Sequence, residues 1–276
     1  MRLHKRTALV LATALAASLF ACTSSTNVNP IDPNGKGDVT VEFDNYVGGT
    51  KLKLGNVPYK NALGEEFTVS TFNYFVSNVK LTKSDGAVVS VPNSYFLVRE
   101  VDPASQLIKL TGLPQADYTA LTFTIGVDSL KSISPATERI GALDPAAYGT
   151  DNMYWSWNSG YIFLKFEGTS PAAPARADGS RLVQMHVGGY GGGFNGGKKM
   201  ANNLRTVTLP IATAATVRGN ITPTIHLITD VAKLLSNGTK LSFATMSNVH
   251  MPDVATPIAD NYKGMFTVDH VHNDAK

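Results

Sequence analysis

Five histidines lie beyond the first 22 residues: His186, His226, His250, His270 and His272. Neutral imidazole is a general ligand for copper and zinc, so their placement is the first question. His270-Val271-His272 comes near the end of the chain. On a strand over 265–272 the two rings emerge on one face, where a single borderline metal ion can take both. The same spacing also fits two solvated rings on a frayed terminus. Met185 stands beside His186 and Met251 beside His250. Thioether sulfur suits copper(I), but adjacent strand residues point to opposite faces, and filling gaps in a core explains these methionines more simply.

Both tryptophans of the chain fall in Met153-Tyr154-Trp155-Ser156-Trp157. In an extended segment Met153, Trp155 and Trp157 share a face. Core packing is the plain explanation for such large rings, and stacking on a ligand or relaying electrons is the functional one. The run Gly188 to Gly197 reads GGYGGGFNGG and then continues Lys198-Lys199. A phosphate-binding loop needs Ser or Thr after the lysine, so no nucleotide site is expected. The run reads as a flexible loop leaving the His186 strand, placed to cover a site. A Gly-x-Ser-x-Gly elbow and a His-Glu-x-x-His helix are both missing, and the chain is read as a binding protein, not an enzyme.

The N-terminus constrains where this chemistry takes place. Arg2, Lys5 and Arg6 precede an apolar run from Thr7 to Phe20, which is shorter than a comfortable membrane span. The run ends in Leu19-Phe20-Ala21-Cys22, which resembles a bacterial lipobox. Residues 1–21 are therefore expected to be a lipoprotein signal peptide, with Cys22 the lipidated first residue after cleavage. Residues 22–37, rich in Ser, Thr, Asn, Pro and Gly, read as a tether. No Asp follows Cys22, which favours the outer membrane, facing the periplasm or the cell surface. Cys22 is the only cysteine. Thiolate zinc sites, iron–sulfur clusters and Cys-ligated copper centres are thereby excluded from the folded part.

The chain has 24 Lys and Arg against 21 Asp and Glu, and the surplus of three lies in the leader. The mature chain is balanced, which argues against nucleic-acid binding. Residues 38–276 read as one all-β domain, an antiparallel β-sandwich with loop insertions and one short helix. Strand signals fall at 38–47, 67–81, 87–91, 95–101, 118–127, 161–166, 181–187, 204–209, 224–228 and 265–271. Ser84-Asp85-Gly86 marks a hairpin turn. The helix is expected over 229–235, capped by Asp230 and ended by Asn237-Gly238. Pro, Ala and Gly gather near 131–152 and 169–180, where insertions are expected.

Several stretches taken together resemble one family. They are Gly141-Ala142-Leu143-Asp144-Pro145, the Trp-x-Trp-x-x-Gly-Tyr run from Trp155 on to Gly168, Met185-His186-Val187-Gly188-Gly189, and Ile258-Ala259-Asp260-Asn261 leading to His270-Val271-His272. This is the pattern of the MbnP-like exported copper-binding proteins, in a lipoprotein branch. The resemblance implies a β-sandwich holding copper, as copper(I), outside the cytoplasm. It implies that a tryptophan, here Trp155 or Trp157, is oxidised to kynurenine by a partner di-haem protein of the cytochrome c peroxidase type. The kynurenine amine and imidazoles would then ligate the metal, with no haem in this chain. His186, His270 and His272 are the ligands it points to, with His226 and His250 as second choices. Storage, scavenging or delivery of copper follows from it. A non-metal structural or adhesion lipoprotein and a redox partner of the di-haem protein are the alternatives. The chain departs from some relatives in having no cysteine motif after the His186 segment. If Trp155 is the modified tryptophan, the chain also has Trp157 where one relative places a histidine.

Overall fold

The computed structural model describes residues 28–155, 160–193 and 198–275. The leader, Cys22 and Trp157 lie outside the described residues. In chain order the strands are β1 (Lys36–Val47), β2 (Thr50–Lys51), β3 (Gly55–Lys60), β4 (Glu66–Lys83), β5 (Val88–Ser90), β6 (Tyr95–Arg99), β7 (Leu107–Pro114), β8 (Ala116–Ile125), β9 (Tyr154–Trp155), β10 (Gly160–Thr169), β11 (Leu182–Gly188), β12 (Arg205–Val217), β13 (Ile221–Asp230), β14 (Asn248–Val249) and β15 (Phe266–Ala275). The α-helices are α1 (Ser129–Ser132), α2 (Val231–Leu234), α3 (Phe243–Met246) and α4 (Pro252–Tyr262).

Two sheets form the sandwich. The smaller runs β15-β13-β1-β2, with β7 also paired to β1. The larger runs β12-β8-β4-β10-β11-β14, with β3, β5 and β6 on β4 and β9 on β10. In β1 the alternation sends Val39, Val41 and Phe43 into the core and leaves Thr40 and Glu42 on the outer face. The sheets meet through aromatic rings. Phe123 and Phe266 sit 5.1 Å apart at 89°, and Phe43 lies 5.7 Å from Phe123. Edge-to-face pairs of this kind add about 0.5–1.5 kcal/mol each beyond the area they bury.

Local chemistry explains the departures from regular pleating. From Phe72 onward the inward residues of β4 are Phe72, Tyr74 and Val76, then Val79 and Leu81, so the parity changes once over this stretch. The change falls at Asn78, which has φ +53° and sits where the β4–β8 register shifts. Asparagine is among the side chains that tolerate this left-handed backbone. On the other side of β4, Phe75 joins Tyr161, Phe163, Leu143, Met153 and Trp155 in a second, smaller core. That core lies on the outer side of the larger sheet, and the segment after β8 roofs it.

The sandwich agrees with the all-β expectation, with two corrections. Pairing is not antiparallel throughout, because β1–β13 and β11–β14 run parallel. Each pair joins segments far apart in sequence, leaving room for the crossover that parallel strands need. The helix content also exceeds one. The expected helix shortens to α2, because Thr229 and Asp230 still belong to β13; the Asp230 carboxylate accepts the Ala232 N–H as foreseen. The larger addition is α4, whose Ala255, Ile258, Ala259 and Tyr262 are buried at helical spacing. Pro252 occupies its first turn, where a missing N–H costs nothing, and Pro257 lies inside it. Two prolines within six residues obscure a helical pattern.

Candidate metal centre

The outer face of the larger sheet carries the first cluster. Val183, Met185 and Val187 of β11 pack into the main core, so Gln184, His186 and Gly188 face the other way. Lys165 of β10 pairs with His186 in register, and Glu167 with Gln184. From that diagonal position Glu167 Oε1 lies 2.6 Å from His186 Nε2. The hydrogen bond from His186 holds the Glu167 carboxyl below its ordinary range, against the opposing effect of burial. An Nε2–H donated to Glu167 leaves the His186 lone pair on Nδ1.

His250 joins His186 through β14. This strand pairs parallel to β11, Gln184 with Asn248 and Met185 with Val249, which puts the following residue beside His186. The two rings meet edge to face with centroids 4.5 Å apart. Burial, followed by the neighbouring His186, lowers the His250 pKa below 6.5, which favours the neutral ring that a metal requires.

Trp155 lies on the same side of the sheet. Its segment is pinned by Asp151, which accepts from Asn73 Nδ2 at 2.9 Å and Arg99 Nη2 at 3.0 Å. Lys165 Nζ lies 3.7 Å from Asp151 and donates to the Asn152 carbonyl at 2.7 Å. Strand β9 then pairs Trp155 with Gly160. Trp155 is 5% exposed, in agreement with the packing explanation. Its ring lies over Gly188, where a Cβ would come 2.5 Å from Trp155 Cζ3 and 2.6 Å from the Tyr161 carbonyl oxygen. Gly188 and His186 are two residues apart on one face, a step of about 6.6 Å along a strand. Indole and imidazoles thus share one strip. The glycine run leaves from this strip. Gly189 has φ +108°, and Tyr190 packs against the same small core as Trp155. Residues 194–197 of that run lie outside the described residues.

The methionines beside the histidines lie in different environments. Met185 is fully buried in the main core, and Met251 is exposed at the start of α4.

The closing histidines are elsewhere. His270 and His272 lie on β15, on the outer face of the smaller sheet, with their Nε2 atoms 2.8 Å apart. His226 of β13 pairs with His270 in register, and the ring centroids are 4.8 Å apart. Both sheets lie between this group and His186, and packed sheets are about 10 Å apart face to face. The structure therefore does not bring His186 together with His270 and His272, and one ion cannot take all three. Each second-choice histidine instead completes one group, His250 with His186 and His226 with the closing pair. Glu167 and Asp269 escaped sequence reading. Their roles depend on cross-strand register and on a bulge, and neither leaves a spacing signal.

Comparison with known proteins bears on the family and the fold. The MbnP family model matches residues 36–252, a span that includes Trp155, Glu167, His186 and His250 and ends before Asp269. Among solved structures the chain is similar to MbnP from Methylosinus trichosporium, with a TM-score of 0.53 and 18% identity, covering 87% of this chain and 100% of that one. At that identity the likeness is one of fold. A search of curated proteins gives no match. The family match over most of the chain shows that it belongs to the MbnP family.

Proposed function

We propose that this protein is an exported copper-binding lipoprotein whose copper(I) site is the strip formed by His186, His250 and Trp155. Membership in the MbnP family suggests a copper-related function. The observation that carries the finer reading is the edge-to-face pair of His186 and His250 beside an indole seated on Gly188. The residues fit a soft, low-coordinate ion. The two imidazoles are borderline donors, and the His186 side chain is only 13% exposed. Glu167 orients His186 through Nε2 and raises the basicity of the nitrogen left for the metal.

Indole itself donates only an N–H and is a poor ligand. Opening its ring by adding two oxygen atoms across the C2–C3 bond, then losing the formyl group to water as formate, gives kynurenine with an aromatic amine donor. In this reading two molecules of hydrogen peroxide are the oxidant, each giving one oxygen atom and leaving as water, and a di-haem peroxidase-type partner is the catalyst. Trp155 is only 5% exposed, so its electrons would leave through the protein and not by direct contact with a partner's haem. A lipid on Cys22 would hold the protein at the outer membrane, where storage, scavenging or delivery of copper takes place.

Copper(I) titration against a competing chelator tests the site. Wild-type protein is expected to bind one equivalent that His186→Ala and His250→Ala each weaken by at least tenfold. Equal affinity in all three would remove this strip from copper binding. Intact mass of protein made beside its di-haem partner is expected to rise by about 4 Da for one kynurenine. Unchanged mass with copper still bound would leave the imidazoles as the site without the modification.

A further inference from the structure

The group on the smaller sheet is built by a β-bulge. In the β13–β15 ladder His226 pairs with His270 and Leu227 with Val268, leaving Asp269 as the extra residue. Val268 and Val271 both pack against the main core although they are three residues apart. Regular alternation cannot turn both inward; the bulge does, and it leaves Asp269 and His270 side by side on the outer face. His272 follows two residues later on that face. Three imidazoles and a carboxylate converge as a result.

Their hydrogen bonds set the tautomers. Asp269 Oδ2 lies 2.7 Å from His270 Nδ1 and 3.2 Å from His226 Nδ1. A carboxylate only accepts, so both Nδ1 atoms carry the proton. The lone pair of neutral His270 is then on Nε2, which faces His272 Nε2 at 2.8 Å. His226 Nε2 lies 3.5 Å from Asp44 Oδ2, and Lys51 also pairs with Asp44. Ligand atoms of His226, Asp269 and His270 lie within 4.8 Å of one another.

We propose a second metal site here, for copper(II), with His270 Nε2 and His272 Nε2 as its first ligands. The His226 ring packs alongside, and Asp269 holds the His226 and His270 rings. Metal–imidazole bonds are about 2.0–2.1 Å. Two such nitrogens at a right angle lie about 2.9 Å apart, and at the tetrahedral angle about 3.3 Å. The observed 2.8 Å fits neighbouring positions of a tetragonal ion. Copper(II) has that preference and leads the affinity order for nitrogen sites. His270 is 46% exposed, so hydrated metal reaches it freely, in contrast to the sheltered His186 strip. Asp269, His270 and His272 lie beyond the span matched by the family model, whereas His226 lies inside it, and the site does not depend on the copper(I) reading above.

The test titrates copper(II) glycinate and, separately, zinc sulfate into metal-free mature protein. Binding is followed by calorimetry and by electron paramagnetic resonance for nitrogen ligation. One copper(II) equivalent is expected to disappear in the His270→Gln/His272→Gln double variant and to remain in His186→Ala. Thermal melting of the metal-free proteins identifies any variant that fails to fold. Asp269→Asn, which keeps the shape, is expected to weaken copper(II) binding 10–100-fold, the usual effect of losing an outer carboxylate. Undiminished copper(II) stoichiometry and affinity in the folded double variant would overturn the site. Zinc binding as tight as copper(II) would overturn its tetragonal assignment.

Discussion

The indole of Trp155 occupies the space that any side chain at Gly188 would need. Two strands that are separate in sequence, β9 and β11, are fitted to each other at this contact. Gly188→Ala is therefore expected to push the ring off the strip. Overpacking of this kind costs about 1–3 kcal/mol. The neighbouring Tyr161 carbonyl, 2.6 Å from the same Cβ position, is backbone and cannot turn aside. A lower Tm together with red-shifted tryptophan emission would agree with this. Unchanged emission would mean that the ring is not held by Gly188.

In the proposed copper(I) site Glu167 would act on the metal through His186. Glu167→Gln retains shape and hydrogen-bonding capacity but removes the charge that favours Nε2–H on His186. Copper(I) affinity is expected to fall about 10–100-fold, with stoichiometry retained. The Tm of the metal-free protein should change much less than in Gly188→Ala. Competition titration and melting of the same samples separate these effects. A stability loss without an affinity loss would make Glu167 a structural residue only.

Asp151 holds the Trp155 segment to the sheet through Asn73, Arg99 and Lys165. The Lys165 side chain is only 6% exposed. Asp151→Ala would leave a buried ammonium facing one carbonyl, and breaking a buried pair from one side costs about 3–5 kcal/mol. Lys165→Met removes the charge along with its desolvation cost and is expected to destabilise less. Urea denaturation of the two variants checks the order. The reverse order would show that Lys165 contributes through its hydrogen bond to Asn152 and not through the ion pair.

The sandwich was legible because burial imposes a period of two on β1, β11 and β13, and that period is written in their side chains. The same-face placement of His270 and His272 followed from the same rule. What was not legible depends on pairing. Nothing near His226 says that its neighbour is His270, and nothing near His186 says that a parallel strand brings His250. The insertion of Asp269 is visible only once Val268 and Val271 are both known to face inward. A family resemblance joined His186 to the closing pair, and two intervening sheets separate them. Helix α4 was obscured by its own prolines, since Pro252 and Pro257 report turns before they report a first turn and a tolerated interior site.

Glu65 offers a prediction about acid stability away from either cluster. Its carboxylate accepts from Ser242 Oγ at 2.6 Å, the Phe243 N–H at 2.8 Å and Asn61 Nδ2 at 2.7 Å. It thereby ties the β3–β4 turn to the start of α3. Burial acts to raise its pKa, but these hydrogen bonds outweigh it and hold the group below 4.5. A carboxyl with a depressed folded pKa contributes stability that is complete above its unfolded value. That stability is lost as pH falls through the folded value. Glu65→Gln is therefore expected to lower stability by about 1.5–3 kcal/mol at pH 7, the range for hydrogen bonds to a charged group. The gap between variant and wild type should stay constant from pH 7 to about pH 5 and close below about pH 4.5, near the unfolded carboxyl range. Denaturant melts of both proteins across this interval measure the gap. A gap that persists undiminished at pH 3 would show that the Glu65 charge is not what joins the turn to the helix.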